Sequence, residues 1–151
     1  MTDVPDAVAM RALGRRLAAL LRPGDLVLLH GGLGAGKTTL TQGIGEGLGV
    51  RGPVTSPTFV IARVHPSTRG GPPLVHVDAY RLGGVPEVDD LDLETSLDES
   101  VTVVEWGEGL VEGLSGDRLE VRIDVHPDDE TRRVRLRAVG GRWAGICLPD
   151  D

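Results

Sequence analysis

The stretch Leu26-Val27-Leu28-Leu29-His30-Gly31-Gly32-Leu33-Gly34-Ala35-Gly36-Lys37-Thr38-Thr39 decides the fold. Its first five residues are nearly all apolar, the pattern of a short strand buried on both faces of a parallel sheet. Gly31 to Thr38 then fits G-x-x-x-x-G-K-[ST]. Glycines at this spacing let successive backbone N–H groups converge on phosphate oxygens without Cβ clashes. The helix opening behind the loop adds the positive end of its dipole. Lys37 is expected to reach the β- and γ-phosphates, and the Thr38 hydroxyl to ligate Mg²⁺. Gly32, Leu33, Gly34, Ala35, Gly36, Lys37, Thr38 and Thr39 are therefore the candidate nucleotide-binding residues, Thr39 as a second polar contact to phosphate or as an ordinary helix-start residue.

Outward from this loop, a helix is expected from Gly36 to about Leu48, with Leu40, Ile44 and Leu48 on one face and Gly49 as its stop. It carries Gly43, Gly45 and Gly47, each unfavourable by about 1 kcal/mol against alanine. They reflect either the glycine-rich composition or close packing of this helix on its sheet. Upstream, Met10, Leu13, Leu17, Leu20 and Leu21 recur at helical spacing over 6–21, and Pro23-Gly24-Asp25 turns the chain into the first strand. Downstream, strands are expected at Thr58–Val64, Leu74–Asp78 and Val101–Glu105. The acidic stretch Gly83–Ser100 reads as one or two short helices. Leu119, Val121, Ile123 and Val125, then Val134, Leu136 and Ala138, alternate as an antiparallel hairpin at a sheet edge, with Arg122, Arg133, Arg135 and Arg137 toward water. The expected class is a single α/β domain over 1–151, P-loop NTPase-like. Its central mixed, mostly parallel sheet is flanked by helices and closed by the C-terminal hairpin.

The composition narrows the partners. With 151 residues and a formal net charge of −7, the chain is large enough for one core and too acidic for unaided nucleic-acid binding. No run has the length of a membrane span, the N-terminus lacks signal-peptide order, and Cys147 is a lone cysteine. A cytoplasmic protein is the expectation. There is one lysine, Lys37, among fifteen arginines, no asparagine, and a single glutamine, Gln42.

A Mg-nucleotide site also needs a carboxylate at the end of a neighbouring strand. LVHVD ends at Asp78 and VTVVE at Glu105, and ligands of open α/β sheets sit beyond the carboxyl ends of the strands. Glu105, on the more uniformly apolar strand, is assigned the metal. Asp78 then positions water or senses the γ-phosphate. Trp106 adjoins Glu105 and either packs on the base or ribose or fills core. Val54-Thr55-Ser56-Pro57-Thr58-Phe59 is either a γ-phosphate-sensing loop or a plain turn.

Several P-loop classes are excluded. Without asparagine or a second lysine there is no Asn-Lys-x-Asp guanine reader. Leu114-Ser115-Gly116-Asp117-Arg118 departs from the Leu-Ser-Gly-Gly-Gln signature of transporter ATPases. A small-molecule kinase stays open, with Arg63, Arg69 or Arg81 to clamp an acceptor, although no arginine-rich lid is visible.

GGLGAGKTTL, VTSPTF, HVDAYRL and VEWGEGL, in this order and spacing, resemble the TsaE family, the bacterial ATPases of tRNA threonylcarbamoyladenosine biosynthesis. The likeness spans residues 8 to 126 and implies a P-loop α/β domain with a mixed sheet. It implies Lys37, Thr38 and Thr39 at ATP phosphates and Mg²⁺, Ser56-Pro57-Thr58 in a switch-like loop, and Asp78, Glu105 and Trp106 as functional residues. It further implies weak ATP hydrolysis, stimulated in a complex with TsaB and TsaD. There TsaD transfers the carbamoyl group to tRNA and the ATPase resets the machine, so tRNA is met only through the complex. The family's acidic residue after the first loop glycine is Gly32 here, which removes a charge beside the phosphates. The acidic 87–99 segment is either a docking surface for a basic partner face or a solvated run.

Overall fold

A computed structural model describes residues 2–31, 36–50, 62–78, 99–105, 117–127 and 131–148. The strand read from LVLLH is present as Leu26–His30 (β2), and its four apolar residues are all fully buried. Three strands pair with it or its neighbour in parallel: Leu74–Asp78 (β4), Val101–Glu105 (β5) and Arg118–Val125 (β6). They form a contiguous parallel block β4-β5-β2-β6. Antiparallel strands extend both sides: Ala62–His65 (β3) on β4, and Arg132–Val139 (β7) followed by Thr2–Val4 (β1) on β6. The seven-stranded order is β1-β7-β6-β2-β5-β4-β3, a mixed sheet with its parallel character at the centre.

The alternation of β6 delivers Leu119, Val121 and Ile123 to the core, but Val125 is 44% exposed where β6, still paired with β7, has run past the end of β2. The hairpin does not form the sheet edge. β1 pairs outside β7 in the register Thr2↔Val134, Asp3↔Arg133 and Val4↔Arg132, and Arg133 Nε reaches Asp3 Oδ1 at 3.2 Å. Three residues before a helix carry too little periodicity to announce a strand, so their pairing is set by β7.

Helix Ala7–Ala18 (α1) starts where Asp6 accepts a hydrogen bond from the Ala9 amide at 2.8 Å. It ends earlier than the apolar spacing implies, before Leu20 and Leu21. Helix Lys37–Leu48 (α2) stops at Gly49, whose φ of 72° is the left-handed C-terminal conformation. Met10, Leu13, Leu17, Leu40 and Ile44 join Val27, Leu29, Val101, Val103, Leu119 and Val121 in one apolar core. Strand alternation puts those residues on a single face of the sheet, so both helices cover that face.

Close packing is real at Gly43 and Gly47 of α2, where the partner is α1 rather than the sheet. A Cβ on Gly43 would fall within 3.0 Å of the Arg11 backbone, and one on Gly47 within 3.0 Å of the Ala18 Cβ. Reciprocally, a Cβ on Gly14 would meet the backbone of Leu40, Gly43 and Ile44. Arg15–Glu46, at 2.9 Å, and Arg11–Gln42, at 3.3 Å, bridge the helices on the outside of this crossing. Among the described residues no helix is long and apolar enough to cross a membrane.

Candidate functional site

β2 and α2 flank the glycine loop as strand and helix, the context that the motif requires. Gly36 is the N-cap of α2 with φ 112°, a conformation that glycine adopts without strain, and as a glycine it brings no side-chain cap of its own. Its carbonyl accepts the Leu40 amide at 2.9 Å, which starts the helical ladder. Lys37, in the first turn, is only 7% exposed, and its Nζ donates to the Gly31 carbonyl at 2.7 Å. The one lysine is thus tied back across the loop between Gly31 and Gly36. Thr38 and Thr39 are half-buried in the same first turn. A helix N-terminus with a glycine N-cap, a buried ammonium and two hydroxyls make an anion-receptive end.

The strand register brings the two predicted acids together. Asp78 on β4 is the Cα partner of Glu105 on β5, and Glu105 is the partner of Leu29 on β2. Both acids therefore end their strands in one layer, two residues before Gly31. Glu105 is 3% exposed, and the alternation of β5 sets it on the face covered by α1 and α2. Its nearest described ionisable neighbour is a residue the sequence reading passed over. His76, on β4, is fully buried with Nε2 3.6 Å from Glu105 Oε1. A single histidine in LVHVD looks like any core position until the register sets it diagonally across from Glu105.

Gly32, Leu33, Gly34, Ala35, Trp106, the 54–59 loop and the acidic 83–98 stretch lie outside the described residues, as do the side chains of Asp78 and Arg63, and Arg81 altogether. Arg69 is described, and it serves α2 instead of a phosphoryl acceptor. Its Nη2 donates to the Gly47 carbonyl at 3.0 Å at the C-terminal end of the helix, about 16 Å from the loop by helical rise. Thr68 adds two hydrogen bonds to the Gly49 carbonyl beside it. That removes one of the three arginines a kinase reading would use.

Residues 4–134 match the family described as threonylcarbamoyl adenosine biosynthesis protein TsaE. A Streptomyces coelicolor protein named tRNA threonylcarbamoyladenosine biosynthesis protein TsaE is 69% identical over 139 residues, covering 89% of this chain and 94% of the relative. The Bacillus subtilis protein of the same name is 41% identical over 138 residues, covering 91% and 84%. Among solved structures, the crystal structure of Bacillus subtilis YdiB superposes with a TM-score of 0.74 at 34% identity, covering 94% of this chain and 86% of that one. The chain belongs to the TsaE family, whose members are named for the biosynthesis of threonylcarbamoyladenosine in tRNA.

Proposed function

We propose that this chain binds ATP with Mg²⁺ and hydrolyses it to drive or reset the TsaB–TsaD pair during tRNA threonylcarbamoyladenosine formation in the cytoplasm. The observation that carries the reading is the layer in which Glu105 and Asp78 end their strands, level with Leu29 and two residues short of Gly31, whose carbonyl accepts the Lys37 ammonium.

In this reading, the amides of Gly32, Leu33, Gly34, Ala35 and Gly36 wrap the phosphates. Lys37 turns its buried ammonium from the Gly31 carbonyl toward the β- and γ-phosphate oxygens. A low-dielectric setting strengthens that attraction. Thr38 and Glu105 hold the cation. Among the described residues no group of three or more His, Cys, Asp or Glu forms a protein-only cage. A hydroxyl, a carboxylate, phosphate oxygens and water are the ligand set that Mg²⁺ accepts at such a site. Bound there, the cation would neutralise charge that develops on the phosphate oxygens. Asp78 orients the attacking water, Thr39 adds a polar contact, and Trp106 packs near the base or ribose.

Phosphate release is measured with the chain alone, then with TsaB–TsaD. Turnover should be slow alone and accelerate with the pair. Lys37→Ala should abolish it, and Asp78→Ala or Glu105→Ala should each reduce it. Acceleration by a small phosphoryl acceptor but not by the pair would replace this reading with a kinase. Full activity in both acid variants would end their assignment.

A further inference from the structure

We propose that His76 is a positioning residue for Glu105: its Nε2–H is directed at Oε1 and fixes the carboxylate, so that the other oxygen faces the nucleotide end of the site. The inference rests on the ATP-hydrolysis reading given above.

His76 has no exposed surface, and neither ring nitrogen has a hydrogen-bond partner. Glu105 Oε1 is likewise buried without one. Leaving three such atoms unsatisfied is costly in a layer otherwise built from Leu74, Val101 and Val103. A Leu or Phe would fill that layer with no orphaned nitrogen. The polar ring therefore needs a function, and its geometry supplies one. His76 pairs with Val103, so Glu105 is its diagonal neighbour two residues further along β5, within reach of a long side chain. The Nε2–Oε1 separation is 3.6 Å, just beyond hydrogen-bond length. A small rotation of Glu105 about its side-chain bonds closes it, as happens in sites that tighten when substrate binds. Once closed, the contact removes the rotamer freedom of a carboxylate that must meet a cation in one orientation. Asp78, two residues beyond His76 on the same strand, would be carried by the same element.

The first measurement is nitrogen-15 NMR of the His76 ring in the wild-type chain. The Nε2–H tautomer, with a signal that shifts in Glu105→Ala, supports the inference. An Nδ1–H tautomer, or a signal indifferent to that substitution, overturns it. The second compares His76→Leu with His76→Gln, whose amide nitrogen lies near the place of Nε2. With TsaB–TsaD present, Leu should lower kcat at least tenfold while KM for ATP stays within twofold, and Gln should recover most of the loss. The Mg²⁺ concentration that gives half-maximal turnover should rise in Leu and return toward the wild-type value in Gln. Equal kcat and equal Mg²⁺ dependence in wild type and His76→Leu overturn the inference. If wild type hydrolyses no ATP under any condition, the hydrolysis reading fails by itself, and the ring tautomer and its response to Glu105→Ala still decide the role of His76.

Discussion

Lys37 is the single lysine in a chain with fifteen arginines, a bias that would favour arginine wherever a long cation suffices. Its place explains why arginine does not suffice. The ammonium is 7% exposed and fits as a compact point charge 2.7 Å from the Gly31 carbonyl. A planar guanidinium with five donors is larger and directs them along fixed lines. Lys37→Arg should therefore keep the fold, read by an unchanged circular dichroism spectrum. It should weaken ATP binding at least tenfold, about 1.4 kcal/mol, read by calorimetry. At this scale the sequence was most informative where a residue type carries its own chemistry, as for Lys37, Thr38 and the strand-end acids. His76 was illegible because a lone histidine acquires meaning only from what lies across the sheet.

Among the elements, the crossing of α1 and α2 is governed by missing side chains. Gly14 and Gly43 bring the two backbones so close that an added methyl has nowhere to go, since the atoms it would meet are main chain. Helix propensity argues the opposite way, favouring alanine over glycine by about 1 kcal/mol. Overpacking against rigid backbone wins over that gain, because relief requires moving a whole helix. Gly14→Ala should lower the stability by about 1–3 kcal/mol in chemical denaturation. An exposed helical glycine would show the reverse sign. Since α2 starts at the glycine loop, its displacement should also reduce nucleotide affinity. The α2 glycines could be counted in the sequence, but the choice between sheet and helix as their partner needed a neighbour that only the fold reveals. Gly14 was embedded in an amphipathic pattern that is complete without it.

For the whole molecule, a buried ion pair ties the C-terminal segment to the turn that launches β2. Arg142 places Nε 3.0 Å from Asp25 Oδ1 and Nη2 2.9 Å from Oδ2, and Nη2 also donates to the Leu20 carbonyl at 2.7 Å. Asp25 accepts the Arg22 amide as well, and its own carbonyl accepts the Thr102 amide at the start of β5. The neighbouring Trp143 is buried and stacks beneath the guanidinium at 4.4 Å. Nothing in the sequence marks Arg142 out from the other arginines, and its partner is more than a hundred residues away, so this latch exists only in the folded chain. Arg142→Met keeps much of the volume but leaves the Asp25 carboxylate, 4% exposed, without its counter-charge. Removing one partner of a buried pair costs about 3–5 kcal/mol, so the melting temperature should fall on the order of 10 °C. Adding Asp25→Asn should recover part of that loss, because the stranded charge is then gone and an oxygen still meets the Arg22 amide. The latch sits at the opposite end of β2 from Gly31, about 20 Å away along the strand. ATP affinity of the folded variant, measured well below its melting temperature, should therefore match wild type. A loss of affinity in step with the loss of stability would show that the two ends of β2 are coupled and that the latch is part of the site.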